Sequence, residues 1–379
     1  MTRPVVGMVG GGQLARMTAQ AAIALDVRLR VLARSPEESA AQVAAEVVLG
    51  DHDDLDTLRR FAAGCDALTF DHEHVPTEHL ATLESEGVPV RPGSDALVHA
   101  QDKTAMRRRL TDVGIPCPAW AVVASVAELE EFGARTGWPV VVKTPRGGYD
   151  GRGVRLIRAA AEAADWLTQG PLLAEARVAF TRELAVQVAR SPHGQAAVYP
   201  VVETVQRDGI CREVLAPARI DDGHALAAQR AALAIAAELQ VVGMLAVELF
   251  DTPDGVLVNE LAMRPHNSGH WTIEGAATSQ FEQHLRAVLD LPLGEVAMRA
   301  PHAVMANVLG SDDPDRFPDL FGGYLHCLAH DPGLHIHNYG KTVVPGRKVG
   351  HVTVTGNDPD ALLERARHAA AFLRGEIDG

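Results

Sequence analysis

The residues from Val140 to Val154 combine one lysine with closely spaced glycines, and these residue types could bind a polyphosphate. Three valines predict a buried strand, Lys143 ends it, and the four glycines within the next ten positions would expose backbone N–H groups. The usual phosphate-binding loop of NTPases differs, because its lysine follows the glycines. A plain β-hairpin is the alternative, but Tyr149, Asp150 and Arg152 between the glycines favour the phosphate loop of another nucleotide fold.

Two glutamates farther along the chain could hold a divalent cation. Glu248 interrupts one short apolar segment, Glu260 ends another, and a Pro-Asp-Gly turn between them predicts a β-hairpin. The hairpin would bring both carboxylates to one face, where they repel each other unless a cation such as Mg²⁺ lies between them. If both side chains instead point to water, no cation is needed. Polar residues crowd the same segment and favour the cation site: Asn259, Arg264, His266, Asn267 and His270.

Basic residues near the end of the chain could bind an anion. Lys341, Arg347 and Lys348 lie in a turn between two predicted strands of an acidic protein. Exposed turns also favour lysine and arginine, so both interpretations stay open. The three arginines from Arg107 to Arg109 lie in a predicted helix from 95 to 113, and we expect most of their charge on a solvated face.

A glycine turn after the first predicted strand resembles a dinucleotide-binding fingerprint. Gly10, Gly12 and Ala15 fit Gly-x-Gly-x-x-Ala, but Arg34 lies near the position where an acidic residue would bind the ribose. An arginine there suits NADP, whereas a turn kept for packing or for another phosphate is the preferred interpretation. The ends of the predicted strands also carry Glu73 and His74, which could face a ligand or form a solvated loop.

The elements around these residues change character along the chain. Strands and helices alternate up to about Pro92, which predicts a small parallel α/β domain whose last strand is 88–90. After the glycine loop, the segments 172–174, 182–188 and 196–205 read as antiparallel strands. From about residue 301, short strands and a final amphipathic helix follow.

Composition excludes several classes of protein. The chain has 379 residues, 47% of them hydrophobic, and a formal net charge of −14, which argues against a nucleic-acid binder. Its four cysteines have no Cys-x-x-Cys spacing, so neither a zinc site nor a disulfide framework is predicted. We find no signal-peptide pattern or apolar run of membrane-spanning length, and we expect a cytoplasmic protein without a membrane partner.

Four ordered motifs resemble those of the ATP-grasp enzymes of purine synthesis, specifically the 5-(carboxyamino)imidazole ribonucleotide synthase family. The motifs are GGGQLARM at 10–17, Lys143 with GGYDGRG at 147–153, NELAMRPHNSGH at 259–270 and PGRKVGH at 345–351. The resemblance implies an ATP-grasp fold with a Rossmann-like parallel α/β domain (1–95), an ATP-grasp domain (96–298) and a small β-rich C-terminal domain (299–379). It also implies a homodimer.

The same resemblance implies the activity. ATP phosphorylates bicarbonate to carboxyphosphate, which delivers CO₂ to the exocyclic amine of aminoimidazole ribonucleotide. The implied catalytic residues are Lys143, Arg264 and Asp150, the last as our hypothesis for the proton acceptor. The implied ATP-binding residues are Lys143, Gly148, Tyr149, Asp150, Gly151, Arg152, Gly153, Val154, Glu175, Ala176, Arg177, Val178, Glu183, Gln206, Asn259 and Glu260. The implied ribonucleotide-binding residues are Glu73, His74, Tyr149, Asp150, Arg152, Arg264, His266, Asn267, Lys341 and Arg347. Glu248 and Glu260 would hold Mg²⁺.

Two positions depart from the family pattern: Val98 stands where an arginine is usual, and Gln206 where a histidine is expected. Both concern ATP contacts. Three alternatives remain at this point: another ATP-grasp ligase or a formate-dependent glycinamide ribonucleotide transformylase, an NADP-dependent oxidoreductase, and a non-catalytic nucleotide-binding regulator. The segments 266–270 and 345–348 favour the carboxylating enzyme over the transformylase.

Overall fold

The computed structural model describes residues 3–148, 152–311 and 318–378, which form three β-sheets with helices packed against them. One four-stranded sheet is parallel, whereas the second four-stranded sheet and the nine-stranded sheet are antiparallel. This combination agrees with the predicted α/β and α+β class. Among the described residues, no helix has both the length and the apolarity needed to cross a membrane.

The parallel sheet has the strand order β3-β2-β1-β4. Its region contains β1 (Val5–Val9), α1 (Gln13–Ala24), β2 (Arg28–Ala33), β3 (Glu46–Leu49), α2 (Leu55–Ala62), β4 (Ala67–Phe70) and α3 (Thr77–Ser85). Because β1 and β4 are parallel neighbours, the glycine turn after β1 lies beside the polar segment after β4. The predicted strand at 88–90 is wrong, since Val90 forms only an isolated bridge with Leu68.

Two helices replace the single helix that the sequence predicts from 95 to 113. They are α4 (Ser94–Gln101) and α5 (Lys103–Asp112). Asp102 between them is extended, and its side chain accepts hydrogen bonds from the N–H groups of Thr104 and Ala105. An aspartate in this N-cap arrangement starts a new helix in a new direction, which a charge pattern alone does not reveal.

The glycine loop connects two strands of the second sheet, whose order is β5-β8-β6-β7. Its region contains β5 (Trp120–Val123), α6 (Val126–Thr136), β6 (Val140–Lys143), β7 (Val154–Ile157), α7 (Ala164–Leu167) and β8 (Leu172–Ala176). Val140 and Val142 are buried in a core shared with Leu129 and Phe132 of α6. This packing holds the strand that ends in Lys143.

The nine-stranded sheet begins with the strands that carry the carboxylates. Its first part contains β9 (Arg182–Arg190), β10 (Ala196–Val198), β11 (Val202–Arg207), β12 (Ile210–Ala216), α8 (Asp222–Glu238), β13 (Gly243–Thr252), β14 (Gly255–Ala262), α9 (Thr272–Gly275) and α10 (Gln280–Val288). The predicted strand 196–205 is two strands, β10 and β11. Pro200 lies between them, and proline has no N–H to donate to a strand ladder.

The last strands extend the same sheet. This part contains β15 (His302–Leu309), α11 (Tyr324–His330), β16 (His335–Asn338), β17 (Lys348–Gly356) and α12 (Pro359–Leu373). β15 pairs with β12, so the order runs β14-β13-β9-β11-β12-β15-β17-β16, with β10 beside β9. The C-terminal strands therefore cover the edge of β12 instead of forming a sheet of their own.

Candidate active site

A cavity of about 1540 Å³ is lined by residues from the parallel sheet, the glycine loop and the nine-stranded sheet. The predicted site residues that line it are Glu73, His74, Lys143, Gly148, Arg152, Val154, Glu175, Ala176, Arg177, Val178, Glu183, Gln206, Glu248, Asn259, Glu260, Arg264, His266, Asn267, Lys341 and Arg347. Gly153 is not a lining residue; its carbonyl accepts a hydrogen bond from Thr144 N within the loop. Tyr149, Asp150 and Gly151 lie outside the described residues.

Lys143 joins the glycine-loop sheet to the nine-stranded sheet. Its buried Nζ lies 2.9 Å from Glu175 Oε2 and donates a hydrogen bond of 3.0 Å to Asn259 Oδ1. Glu175 belongs to β8 and Asn259 to β14, so the lysine contacts a residue of each sheet. The ammonium group is thereby held at the cavity wall, and a lysine held there could contact phosphate oxygens.

Arg107 completes this buried arrangement. Its Nε lies 2.6 Å from Glu175 Oε1, and a terminal guanidinium nitrogen donates to the main-chain oxygen of Asn259 at 2.7 Å. Burial on its own would raise the pKa of Glu175, but Lys143 and Arg107 together lower it. Glu175 is therefore ionised at neutral pH and is paired with two cations.

The expectation of a solvated helix face is wrong for Arg107, whose side chain is fully buried. Met106 and Leu110 of α5 are also buried, whereas Arg108 is exposed. The three- to four-residue spacing of the buried positions defines an inner helix face. That spacing was the available signal in the sequence, but the run of three arginines masked it.

The hairpin of β13 and β14 places Glu248 directly opposite Glu260, which confirms the predicted pairing. Burial raises the pKa of Glu248 to about 7, and the charges of Glu260 and Glu183 add to the effect. Burial also raises the pKa of Glu183 to about 7. Lys103 Nζ lies 3.4 Å from Glu260 Oε1 and donates to the carbonyl of Gly147 at 3.2 Å. Two carboxylates that face each other across a hairpin, as Glu248 and Glu260 do, fit the oxygen ligands that Mg²⁺ prefers.

Part of the cavity wall carries apolar side chains. Ala176 ends β8, and Arg177 and Val178 follow it along the cavity. Phe180 and Phe250 stack with ring centroids 4.8 Å apart and also line the cavity. A partly aromatic surface of this kind suits a nucleobase.

The two positions that depart from the family pattern differ in location. Gln206 lies on β11 and lines the cavity. Val98 lies on α4 and is not a lining residue, although its neighbours His99 and Ala100 are. Position 206 therefore faces the cavity with a different side chain, whereas the cation expected at 98 is replaced by an apolar group.

Arg264 connects the two ends of the cavity. It follows β14, and its Nε lies 2.8 Å from Oε2 of Glu73, which follows β4 in the parallel sheet. The other carboxylate oxygen of Glu73, Oε1, is buried and has no hydrogen-bond partner among the described residues. His74 is exposed beside it, and its ring stacks on His72 with centroids 5.1 Å apart. The Glu73 oxygen is consequently available to a donor on a bound ligand.

His266 and Asn267 follow Arg264 at a short turn. His266 Nδ1 lies 2.8 Å from Ser268 Oγ and accepts a hydrogen bond from Ser268 N at 3.4 Å, and its Nε2 lies 3.6 Å from Glu248 Oε1. Burial and the charge of Arg264 lower the pKa of His266 to about 3, which keeps it neutral at pH 7.

A second asparagine, which the sequence did not indicate, holds Asn267. Asn307 of β15 and Asn267 exchange two amide hydrogen bonds of 2.8 Å each. Asn307 also donates to the carbonyl of Cys211 at 3.0 Å and is buried. A lone asparagine in an apolar strand has no local signature, so only the pairing of β15 with β12 brings it to the site.

The first glycine turn is used internally. Asp71 accepts hydrogen bonds from Gly12 N at 2.7 Å and Ala15 N at 2.9 Å, at the start of α1. This carboxylate occupies the place where the fingerprint would bind a pyrophosphate. Gln13, which follows Gly12, lines the cavity and accepts a hydrogen bond from Lys341 Nζ. The turn therefore faces the ligand cavity through its side chains, which disfavours the dinucleotide interpretation.

Three family models match consecutive parts of the chain. The ribonucleotide synthetase preATP-grasp domain matches residues 3–101, the ATP-grasp domain 108–281, and the phosphoribosylaminoimidazole carboxylase C-terminal domain 303–365. The predicted ATP-grasp fold, with a parallel α/β region at the N-terminus and a C-terminal domain, is confirmed.

Curated relatives and solved structures agree with these matches. N5-carboxyaminoimidazole ribonucleotide synthases are 57% identical in Mycobacterium tuberculosis, over 98% of this chain and 88% of the relative, and 47% identical in Corynebacterium ammoniagenes, over 98% and 92%. The enzyme of Aspergillus clavatus, solved with ADP and 5-aminoimidazole ribonucleotide, superposes with a TM-score of 0.89 at 34% identity over 99% of both chains. The Thermus thermophilus enzyme gives 0.87 at 39% identity, also over 99% of both chains. The chain belongs to the N5-carboxyaminoimidazole ribonucleotide synthase family of ATP-grasp enzymes.

Proposed function

We infer that this protein uses ATP and bicarbonate to carboxylate the exocyclic amine of 5-aminoimidazole ribonucleotide in purine biosynthesis, acting as an ATP-dependent carbon–nitrogen ligase. The observation that carries this inference is the single cavity in which Lys143, the Glu248–Glu260 pair and the Arg264–Glu73 pair meet. One wall supplies cations and carboxylates for a nucleotide with its metal, and the other supplies polar groups for a second substrate.

The reaction requires two linked steps. Bicarbonate attacks the γ-phosphorus of ATP, the bond to the β-phosphate oxygen breaks, and ADP and carboxyphosphate form. Carboxyphosphate then releases phosphate and CO₂, and the amine attacks CO₂ and loses a proton to give the carbamate. Both carboxyphosphate and CO₂ are lost in water, so a loop over the phosphates would exclude solvent as well as bind ATP.

The ATP end is assigned to residues of the two antiparallel sheets. Lys143 would contact phosphate oxygens, residues 148–154 would cover them, and residues 175–178 would contact adenine. Glu183 would bind the ribose, and Gln206, Asn259 and Glu260 would complete the contacts. Glu248 and Glu260 would hold Mg²⁺, which neutralises charge on the transferred phosphoryl group when it is bound.

The ribonucleotide end is assigned to Glu73, His74, Arg264, His266, Asn267, Lys341 and Arg347, together with Tyr149, Asp150 and Arg152. The partnerless oxygen of Glu73 could accept from a substrate amine or hydroxyl. The guanidinium of Arg264, fixed by Glu73, could stabilise negative charge as carboxyphosphate breaks down. Lys341 and Arg347 suit the 5′-phosphate.

The decisive test measures ADP release with bicarbonate, with and without aminoimidazole ribonucleotide. Stimulation by the ribonucleotide, with ¹³C from labelled bicarbonate in a carbamate, is the expected result. Lys143→Met should lose both signals, and Arg158→Met, an exposed arginine outside the cavity, should keep them. Stimulation by formate and glycinamide ribonucleotide instead would favour the transformylase.

Asp150 is proposed as the proton acceptor when the amine attacks CO₂. Asp150→Asn should depress turnover and leave ATP binding near that of the wild type, because the amide cannot take up the proton. Equilibrium binding of ATP and steady-state turnover separate the two effects. Normal turnover in this variant would reject the assignment.

The domain limits 1–95, 96–298 and 299–379, a homodimer and a cytoplasmic location are further parts of this proposal. The first limit lies in the first turn of α4, and the second lies between α10 and β15. Sedimentation velocity of the full chain at several concentrations would test the dimer, and a single monomeric species throughout would reject it.

A further inference from the structure

Three histidines form a cluster at the surface of the C-terminal region. His326 and His330 lie four residues apart on α11, so their side chains share one helix face. His368 of α12 lies opposite them. One ring nitrogen from each of the three lies within 4.8 Å of the other two. None of these residues lines the nucleotide cavity.

The distance between two of the rings matches a shared cation. Nε2 of His326 and Nε2 of His368 are 3.3 Å apart. Two imidazole nitrogens bound to one tetrahedral Zn²⁺ at about 2.05 Å are separated by about 3.3 Å. A hydrogen bond between the two imidazoles would explain this pair as well, but it leaves the third ring without a role.

The rings are already held in place. His326 stacks on Phe372 of α12 with centroids 3.8 Å apart, and His330 stacks on His368 at 4.4 Å. His326 and His368 are partly buried, whereas His330 is exposed. All three rings are therefore positioned by packing, and a cation can reach them from the solvent side, where His330 is exposed.

We propose that His326, His330 and His368 form a binding site for a borderline divalent cation such as Zn²⁺, separate from the magnesium site. Three imidazoles select Zn²⁺, Co²⁺, Ni²⁺ or Cu²⁺, whereas Mg²⁺ prefers the oxygen ligands of the cavity. The cation would join α11 to α12, and water would complete its coordination. It would stabilise the C-terminal region without taking part in the reaction.

The test uses the full chain without a histidine tag, in excess Mg²⁺ and ADP so that the oxygen ligands are occupied. Calorimetry with Zn²⁺ should show one saturable equivalent, and Co²⁺ should give visible absorption bands of a nitrogen-ligated site. His330→Ala and His368→Ala should each weaken binding at least tenfold and remove the increase in Tm caused by Zn²⁺. His335→Ala, an exposed histidine on β16, should bind as the wild type does.

His330→Ala should also keep the wild-type rate of ATP turnover in metal-free buffer with Mg²⁺, because the cluster lies outside the cavity. Zn²⁺ binding of wild-type strength in His330→Ala or in His368→Ala would overturn the proposal. No saturable binding to the wild type would overturn it too, and would leave only the imidazole hydrogen bond.

Discussion

Replacing Glu248 by glutamine should stabilise the metal-free protein while abolishing its activity. In the folded protein, burial and the neighbouring charges of Glu260 and Glu183 raise the pKa of Glu248 from 4.5 to about 7. A rise of this size corresponds to about 3 kcal/mol, an upper limit because 26% of the side chain reaches water. Glutamine has nearly the same shape and carries no charge, so it removes this cost.

The pH dependence has a definite sign. The folded pKa is raised, so the folded protein holds the proton more tightly than the unfolded chain does. Below pH 4.5, the ordinary pKa of a glutamate carboxyl, ionisation of Glu248 costs nothing. The loss of folding stability grows as pH rises from 4.5 to about 7 and reaches its full value above pH 7. The stability advantage of Glu248→Gln should therefore be small at pH 5 and approach about 3 kcal/mol at pH 8.

Urea unfolding in EDTA at pH 5 and pH 8, followed by tryptophan fluorescence, measures this difference. MgATP at 100 times its Kd should stabilise the wild type by about 2.7 kcal/mol, and the variant by much less. Turnover of the variant should fall about 100-fold or more. Glu131→Gln, an exposed change on α6, is the control and should alter none of these quantities. An equal stability difference at both pH values, or normal turnover, would refute the reasoning.

Three further changes test the roles assigned to Arg107, Asn307 and Lys341. Arg107→Met should lower the free energy of unfolding by about 3–5 kcal/mol, because the buried Glu175 loses one of its two cations. Urea unfolding measures this loss. A loss below about 1 kcal/mol would contradict the account. Asn307→Leu should raise KM for the ribonucleotide more than KM for ATP, because Asn267 loses its amide partner. Lys341→Met should raise KM for the ribonucleotide about tenfold or more at unchanged KM for ATP. Steady-state kinetics measures both constants. Equal effects on both substrates would contradict the role assigned to Asn307 or to Lys341, whichever variant shows them.

Short-range sequence patterns were enough to predict the local chemistry of the site. The valines before Lys143 and the glycines after it predict a strand followed by a loop, because strand burial and turn formation depend on neighbouring residues. The turn between Glu248 and Glu260 likewise sets the hairpin, and its register places the two acids opposite each other. These features lie within about 15 residues of chain, where the backbone itself limits the possible geometry.

Contacts between distant segments could be decided only by the tertiary structure. Arg107 reads as surface charge until β8 and β14 supply Glu175 and a main-chain oxygen, which make its burial favourable. Asn307 becomes a site residue because β15 joins the edge of β12, and Glu73 meets Arg264 across 191 positions of sequence. Partners of this kind share no periodicity or spacing with each other. They are selected by the packing of whole sheets, which brings a partner from another part of the chain to a buried polar group.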